Sequence, residues 1–178
     1  MAKKVSWKAG ASYLLAGGRV RVAARAGVIK TGLPGDVASH LKIEFAPGKQ
    51  AFVIDELSFV RGGDDGITGA AVRSLRVQET LSEAVSGLVK IKASGSSRYV
   101  PLAEASEYIH PAKGRPRTEV IEDAATLYVA ARAIGRAPLN ELMDVLQVSQ
   151  PTAVRYAREA REHGLLDAIE RVSDGGAS

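Results

Sequence analysis

The chain has 178 residues, enough for one large domain or two small domains that bury a hydrophobic core. No apolar run approaches the roughly 20 residues that span a bilayer, and the first residues lack the apolar stretch of a signal peptide. We therefore expect a cytoplasmic protein. Because the chain contains no cysteine, its composition excludes disulfides, a thiolate nucleophile and cysteine-based zinc sites.

The net charge of +4 is distributed unevenly along the chain. Residues 1–103 contain 15 Lys and Arg against 8 Asp and Glu, whereas residues 104–178 contain 9 against 12. The first part therefore carries +7 and the second part −3. A DNA-binding region in the second part would have to contact phosphate through local clusters of cations, because its average charge is negative.

Residues 1–62 are predicted to be mainly β-structure. Two glycines at 17–18 separate apolar runs, which is typical of a hairpin. In residues 19–22, RVRV, the period-two alternation predicts that Val20 and Val22 are buried and that the two arginines lie on the opposite face. A solvated strand face explains these arginines, and a nucleic-acid surface is the alternative that we favour less.

The clearest hairpin consists of HLKIEF and QAFVIDELSFV, joined by APGK. The following RGGDDG is interpreted as a turn, since its spacing matches no EF-hand cation site. From Thr68 the period becomes helical, and two helices that cover the sheet are predicted. A last extended segment ends near Leu102. Residues 1–102 are thus predicted to form a β-rich α+β domain, with dimerisation or regulation as its expected role.

Residues 103–117 are predicted to be a linker that ends in a basic arm. The arm consists of Lys113, Gly114, Arg115, Pro116 and Arg117. Gly and Pro keep a chain extended and thin, so the flanking arginines can enter the narrow minor groove of A·T-rich DNA, where the potential is most negative. The tetrapeptide GRPR resembles the core of an AT-hook. It also resembles the arm that precedes the helix-turn-helix of DNA invertases and resolvases.

Three helices are predicted after the arm. Residues 118–134 carry a long apolar stripe, with Thr118 as the N-cap and Gly135 as the stop. A second helix runs from about 139 to 146, and Gln147 and Val148 form a turn. The third helix is predicted to begin at Ser149 as N-cap, with Pro151 in its first turn, to carry Ala153 and Tyr156 inward, and to end at Gly164 in a Schellman-type cap with Leu165.

The segment LQVSQPTAVRY resembles the pattern of bacterial helix-turn-helix regulators, although Met143 replaces a usual Ala and Gln147 a usual Gly. The resemblance spans residues 114–163 and extends to small actinobacterial and phage proteins. It implies a recognition helix in the major groove. The implied phosphate contacts are Ser149 and Thr152, and the implied base contacts are Gln150, Arg155 and Arg158. A plain helical hairpin without a ligand is the alternative structural interpretation.

We therefore predict an α+β protein whose C-terminal part, residues 118–167, is an all-α tri-helical helix-turn-helix domain, followed by a flexible tail over 168–178. The predicted function is sequence-specific binding of double-stranded DNA by a nucleoid-associated homodimer that regulates transcription, with the recognition helix in the major groove and the arm in the minor groove. The alternatives are an architectural or recombination-accessory DNA-binding protein, and a protein-interaction module of the antitoxin-like or phage-adaptor kind.

The sequence contains no recognisable catalytic or metal-binding motif. His40, His110 and His163 lie far apart, and none has a partner at metal-ligand spacing. There is no Walker loop and no serine-centred elbow, and the first hundred residues lack the nucleophile motif and arginine set of serine recombinases. We therefore expect DNA binding without recombination, no enzyme activity, and neither a cofactor nor a metal.

Overall fold

The computed structural model of the chain describes residues 3–6, 11–34, 36–62 and 66–173. The strands are β1 Lys3–Ser6, β2 Ala11–Leu15, β3 Val20–Ala23, β4 Arg25–Leu33, β5 Val37–Ala46, β6 Ala51–Arg61, β7 Val89–Ile91, β8 Val100–Pro101 and β9 Ile169–Ser173. The helices are α1 Gly69–Ser74, α2 Val77–Ser86, α3 Ala105–Tyr108, α4 Arg117–Ala133, α5 Pro138–Leu146 and α6 Gln150–Glu162. Short 3-10 turns occupy Pro47–Lys49 and Leu102–Glu104.

The described strands form two antiparallel sheets. Their strand orders are β1-β4-β5-β6 and β8-β7-β3-β2-β9. The two predicted hairpins are confirmed: β2 pairs with β3, and β5 pairs with β6. The predicted alternation in β3 is also confirmed, because Val20 and Val22 are fully buried, while Arg21 on the opposite face stands in register with Lys90.

Aromatic side chains join the two sheets. The ring of Phe45 in β5 lies 5.3 Å from the ring of Tyr13 in β2 and 5.5 Å from the ring of Phe52 in β6, measured between centroids. Phe45 is fully buried. Offset and edge contacts of this kind add to the free energy gained from burial alone, so these rings help to hold the two sheets together.

The predicted all-α, tri-helical C-terminal domain is wrong. After α6 the chain forms β9, which pairs with β2 and extends the five-stranded sheet, with Arg171 opposite Tyr13. Residues 169–173, predicted as part of a flexible tail, are therefore strand. Local periodicity could not predict this pairing, because a five-residue strand shows little alternation and its partner lies more than 150 positions earlier in the sequence.

The C-terminal helices share one hydrophobic core with the sheets. The core includes Val20 and Ile91 from the five-stranded sheet, Leu127 from α4, Leu142 from α5 and Ala153 from α6. Helix α4 is buried on most of its surface, as expected of a helix that packs against neighbours on several sides. The helix pair α5–α6 is therefore joined to the sheet through α4.

Candidate nucleic-acid interface

The turn between α5 and α6 forms without glycine. Gln147 adopts the left-handed conformation, with φ 54° and ψ 51°, and its backbone N–H donates to the carbonyl of Met143. The side-chain amide of Gln147 also donates to the carbonyl of Asp144, at 2.6 Å. Gln147 thus adopts the left-handed turn conformation without being a glycine, at a cost in backbone strain that its side-chain hydrogen bond offsets only in part.

The ends of these helices test the capping predictions. Thr118 was predicted as the N-cap of α4, but this prediction is wrong, because α4 begins at Arg117 and its N-cap is Pro116, two residues before Thr118. Ser149 occupies the N-cap of α6 as predicted, but its hydroxyl makes no capping bond and lies 3.1 Å from the hydroxyl of Thr152. The stop of α6 is confirmed: Gly164 has φ +70°, and the N–H of Leu165 donates to the carbonyl of Ala160.

Helix α6 has two distinct faces. Ala153, Ala157 and Ala160 are buried, and these small side chains allow close packing against the core. Tyr156, predicted to point inward, is only partly buried. The opposite side is exposed, and we call it the outer face of α6. It consists of Gln150, Val154, Arg155, Arg158 and Arg161.

The arginines of the outer face are weakly bound within the protein. The guanidinium of Arg155 lies 5.7 Å from the centroid of the neighbouring Tyr156 ring. Arg158 lies 3.6 Å from Glu162 one turn later, with both side chains about two-thirds exposed, and such exposed pairs contribute about 0.3–0.5 kcal/mol. Within the described part of the chain no ion pair is recorded for Arg155 or Arg161. These three cations can therefore turn toward an anionic partner at little cost.

Arg115 of the arm, in contrast, is engaged inside the protein. Its guanidinium donates to the carboxylate of Asp123 at 2.5 Å and to the carbonyl of His110 at 2.8 Å. The side chain of Asp123 is 1% exposed and that of Arg115 is 17% exposed. The same carboxylate accepts the backbone N–H of Ser94 at 2.7 Å. Moving Arg115 into a minor groove would leave Asp123 as a buried charge without its counter-ion.

Arg117 lies against the side of α6. Its guanidinium makes two parallel hydrogen bonds to the carboxylate of Glu159, one of them from Nε at 3.1 Å. It also lies 5.8 Å from the Tyr156 ring centroid. The Arg117 side chain is 57% exposed and that of Glu159 is 18% exposed. Arg117 is thus held beside the outer face of α6 and still reaches solvent.

The rest of the arm folds against the C-terminal end of α5. The N–H of Ala112 donates to the carbonyl of Leu146 at the end of α5, and Arg115 closes a turn back to the carbonyl of Ala112. Gly114 has φ +80°, a conformation that glycine adopts without strain. Lys113 and Gly114 are therefore exposed next to the α5–α6 turn, and the arm is bent here, whereas the sequence had predicted an extended arm.

Acidic residues of α4 also anchor the N-terminal sheet, and the sequence interpretation missed this role. Glu122 forms an ion pair with Arg19 and accepts the hydroxyl of Ser94 at 2.9 Å. The loop between β7 and β8 is thereby fixed to the first turns of α4. The sequence does contain a signal for this role, namely the acidic pair Glu122 and Asp123 inside an otherwise apolar helical stripe. A carboxylate that is buried with such a stripe needs a hydrogen-bond or ion-pair partner.

Other types of site receive no support. The part of the chain that the structure describes contains no cluster of three or more residues that could hold a metal ion, and none of its helices is long and apolar enough to cross a membrane. The GGDDG stretch, interpreted as a turn, includes residues 63–65, which lie outside the described residues. No family model, curated protein or solved structure matches the chain.

Proposed function

We propose that the protein binds double-stranded DNA with the outer face of α6 and acts as a sequence-specific transcriptional regulator. The observation that supports this proposal most strongly is the polarity of α6. Its alanine face is buried in the core, while three arginines and Gln150 are exposed on the other side. A helix with its side chains is about 10–12 Å wide, which fits the major groove of about 12 Å.

The side chains of this face have the chemistry of base recognition. Arg155 and Arg158 can each donate two hydrogen bonds to guanine, and the amide of Gln150 can pair with adenine. The exposed Val154 provides an apolar surface for a thymine methyl group. Ser149 and Thr152 lie at the start of α6, where hydroxyls and backbone N–H groups together favour a phosphate.

In this mechanism the arm supports the helix from the side. Lys113 is exposed beside the α5–α6 turn, and Arg117 is held next to α6 by Glu159. Both cations are placed to contact the phosphates that flank the groove. Arg115 instead fixes the bend of the arm through Asp123. The proposal therefore replaces the minor-groove contact expected from the GRPR sequence with phosphate contacts by Lys113 and Arg117.

One observation favours architectural DNA binding as a second candidate. On the five-stranded sheet, Arg21 and Lys90 stand side by side in register, and the ammonium of Lys92 lies 5.4 Å from the ring centroid of Tyr99. Cations interleaved with an aromatic ring are typical of surfaces that bind nucleic acid without sequence preference. Contacts on this sheet face would add affinity that falls with salt and is the same for every sequence.

Selection from a pool of random duplex DNA at two salt concentrations tests the proposal. The wild type is expected to enrich a defined motif, and Arg155→Ala is expected to lose preference at some positions of that motif. The matched control is Arg25→Ala, which removes an exposed arginine from the four-stranded sheet. If the protein retained DNA without enriching a motif, and if the retained amount fell steeply with salt, the result would favour the architectural candidate. No retention at low salt would contradict both.

A further inference from the structure

The second half of β6 is an exposed edge of the four-stranded sheet. β6 is the last strand in the order of this sheet, and within the described residues only β5 pairs with it. Phe52 and Ile54 in its first half pack into the core. From residue 55 onward the side chains are exposed or partly exposed, with Leu57 at 39% and Val60 at 48%. A long edge with exposed apolar side chains is a template for another strand.

The exposed half of β6 is also regular. A shift in register occurs between Ile54, opposite Ile43, and Glu56, opposite Lys42, so Asp55 is an extra residue at a bulge. From Glu56 to Arg61 the pairing with β5 continues without interruption. The free side of this segment therefore presents evenly spaced backbone donors and acceptors to a partner strand.

We infer that this edge pairs with the same edge of a second copy of the chain, antiparallel and centred on Ser58. The segment DELSFVR is complementary to itself in that register. Leu57 would face Phe59 of the second copy, Glu56 would face Val60, and Asp55 would face Arg61. An isologous contact contains each of these pairs twice. Two apolar pairs and two pairs of opposite charge therefore stabilise the dimer, whereas the two Glu56–Val60 pairs add no such complementarity.

The register follows from the side-chain pattern. A continuous sheet whose apolar faces lie on the same side requires that paired residues differ by an even number of positions. Centring one residue earlier would place Asp55 opposite Phe59, and centring one residue later would place Leu57 opposite Arg61. Neither alternative brings two opposite charges together. Ser58 is the one of these three centres that places Asp55 opposite Arg61 and Leu57 opposite Phe59, although it also places Glu56 opposite Val60.

The dimer is expected to be reversible. The regular pairing covers five residues, Glu56 to Val60, over about 17 Å of strand, with Asp55 and Arg61 at its two ends. Such a ribbon buries less than the roughly 1,200–2,000 Å² of a stable interface. Additional apolar surface is available from α1, which packs on Phe59 through Ala71 and leaves the next residue, Val72, 45% exposed. The inference does not depend on DNA binding, although a two-fold dimer would place two α6 helices on an inverted repeat.

Charge reversal tests the pairing directly, by analytical ultracentrifugation of the full chain without DNA over a range of concentrations. Asp55→Arg and Arg61→Asp each place like charges opposite one another at both ends of the interface, and each is expected to weaken dimerisation about tenfold. The double variant restores opposite charges and is expected to recover the dimer. Along one strand the two residues lie roughly 20 Å apart, so recovery must come from contact between chains.

A second pair of variants keeps the test decisive if a charge reversal impairs folding. Val60 is exposed and would face Glu56 of the second copy. Val60→Glu is expected to weaken the dimer, whereas Val60→Lys is expected to retain or strengthen it. If any added charge on this edge disrupted the dimer, the two Val60 variants would weaken dimerisation equally. A wild type that remains monomeric at every concentration, or a dimer that none of the folded variants changes, would overturn the inference. Circular dichroism verifies that each variant is folded.

Discussion

The arm, residues 113–117, contains one lysine and two arginines, and the outer face of α6 contains three arginines. On the basis of sequence, the two regions look equally suited to bind DNA. In the folded protein they differ. Both arginines of the arm form bidentate or short-range ion pairs with carboxylates that are largely buried, Asp123 and Glu159. Those of the outer face have one exposed partner among them within the described residues, Glu162.

The difference shows that a cation's availability depends on what surrounds it. An arginine paired with a buried carboxylate can leave only by uncovering a charge in a medium that solvates it poorly, which costs several kcal/mol. An arginine paired on the surface gives up about 0–1 kcal/mol. For the proposed DNA partner, the arginines on the outer face of α6 are therefore the most available, Arg117 is less available and Arg115 is the least available. Three predictions test this ranking, and a fourth tests the α5–α6 turn beside the outer face of α6.

The largest effect is expected for Asp123→Ala. This change leaves Arg115 and the N–H of Ser94 without their acceptor, and we expect the free energy of unfolding to fall by about 3 kcal/mol. Urea denaturation followed by circular dichroism measures it. Asp144→Ala, at an exposed carboxylate of α5, is the control and should change stability by about 0.5 kcal/mol or less. Equal stability of the two variants would mean that Asp123 does not hold the arm.

Arg155→Ala should affect DNA binding and leave folding intact. Loss of a bidentate contact to guanine is expected to reduce discrimination against the wrong base by about 1–3 kcal/mol, with an unchanged unfolding midpoint. Arg115→Ala is the counterpart, and it should lower stability while preserving the preferred sequence. Fluorescence anisotropy with cognate and mismatched duplexes measures both variants. If they lost sequence preference to the same extent, the two regions would not differ as proposed.

A smaller effect is expected for Glu159→Gln. The variant weakens the hold on Arg117 and removes a negative charge from α6. DNA affinity should therefore rise a few-fold, and the slope of log affinity against log salt should steepen by about 0.9 for one additional phosphate contact. Glu141→Gln removes the same charge from α5, where the carboxylate lies 3.6 Å from Arg136, and should change the slope less. An unchanged slope in both variants would mean that the ion pair with Glu159 does not limit the contact of Arg117 with phosphate.

The smallest effect is expected for Gln147→Gly. Glycine relieves the strain of the left-handed conformation but loses the hydrogen bond to Asp144 and has more freedom in the unfolded chain. We expect a net gain in stability of about 0.5 kcal/mol, with DNA affinity unchanged. Thermal unfolding measures the gain, and Gln150→Gly, at the first residue of α6, should destabilise instead. A loss of stability in Gln147→Gly would show that the side-chain bond outweighs the strain.

Much of the local structure could be predicted from the sequence. The two hairpins follow from glycine or proline turns between alternating segments, and the boundaries of α4, α5 and α6 lie within one or two residues of those predicted. These features depend on contacts between residues that are near one another in the chain. The N-cap of α4 was missed because Thr118 is a preferred capping residue, whereas Pro116 has no side-chain acceptor and gives no local capping signal.

The candidate interface could be predicted only in part. Arg155 and Gln150 were identified from the spacing of α6, and the structure leaves both exposed. The engagement of Arg115 could not be predicted, because it depends on a burial of Asp123 that α4 acquires by packing against the sheet. The pairing of β9 with β2 was missed for a related reason, since strand partners far apart in sequence leave no local pattern.

By itself, the sequence determined which residues form helices and hairpins and which face of each element is apolar, because turn chemistry and periodicity act over a few positions. The tertiary structure alone decided which charges are committed and which are available. The carboxylate of Asp123 binds Arg115 and the N–H of Ser94, and the carboxylate of Glu159 binds Arg117. In each case the partners come from different segments of the chain. Ion pairs depend on distance and burial in space, and both are set only when the helices close onto the sheet.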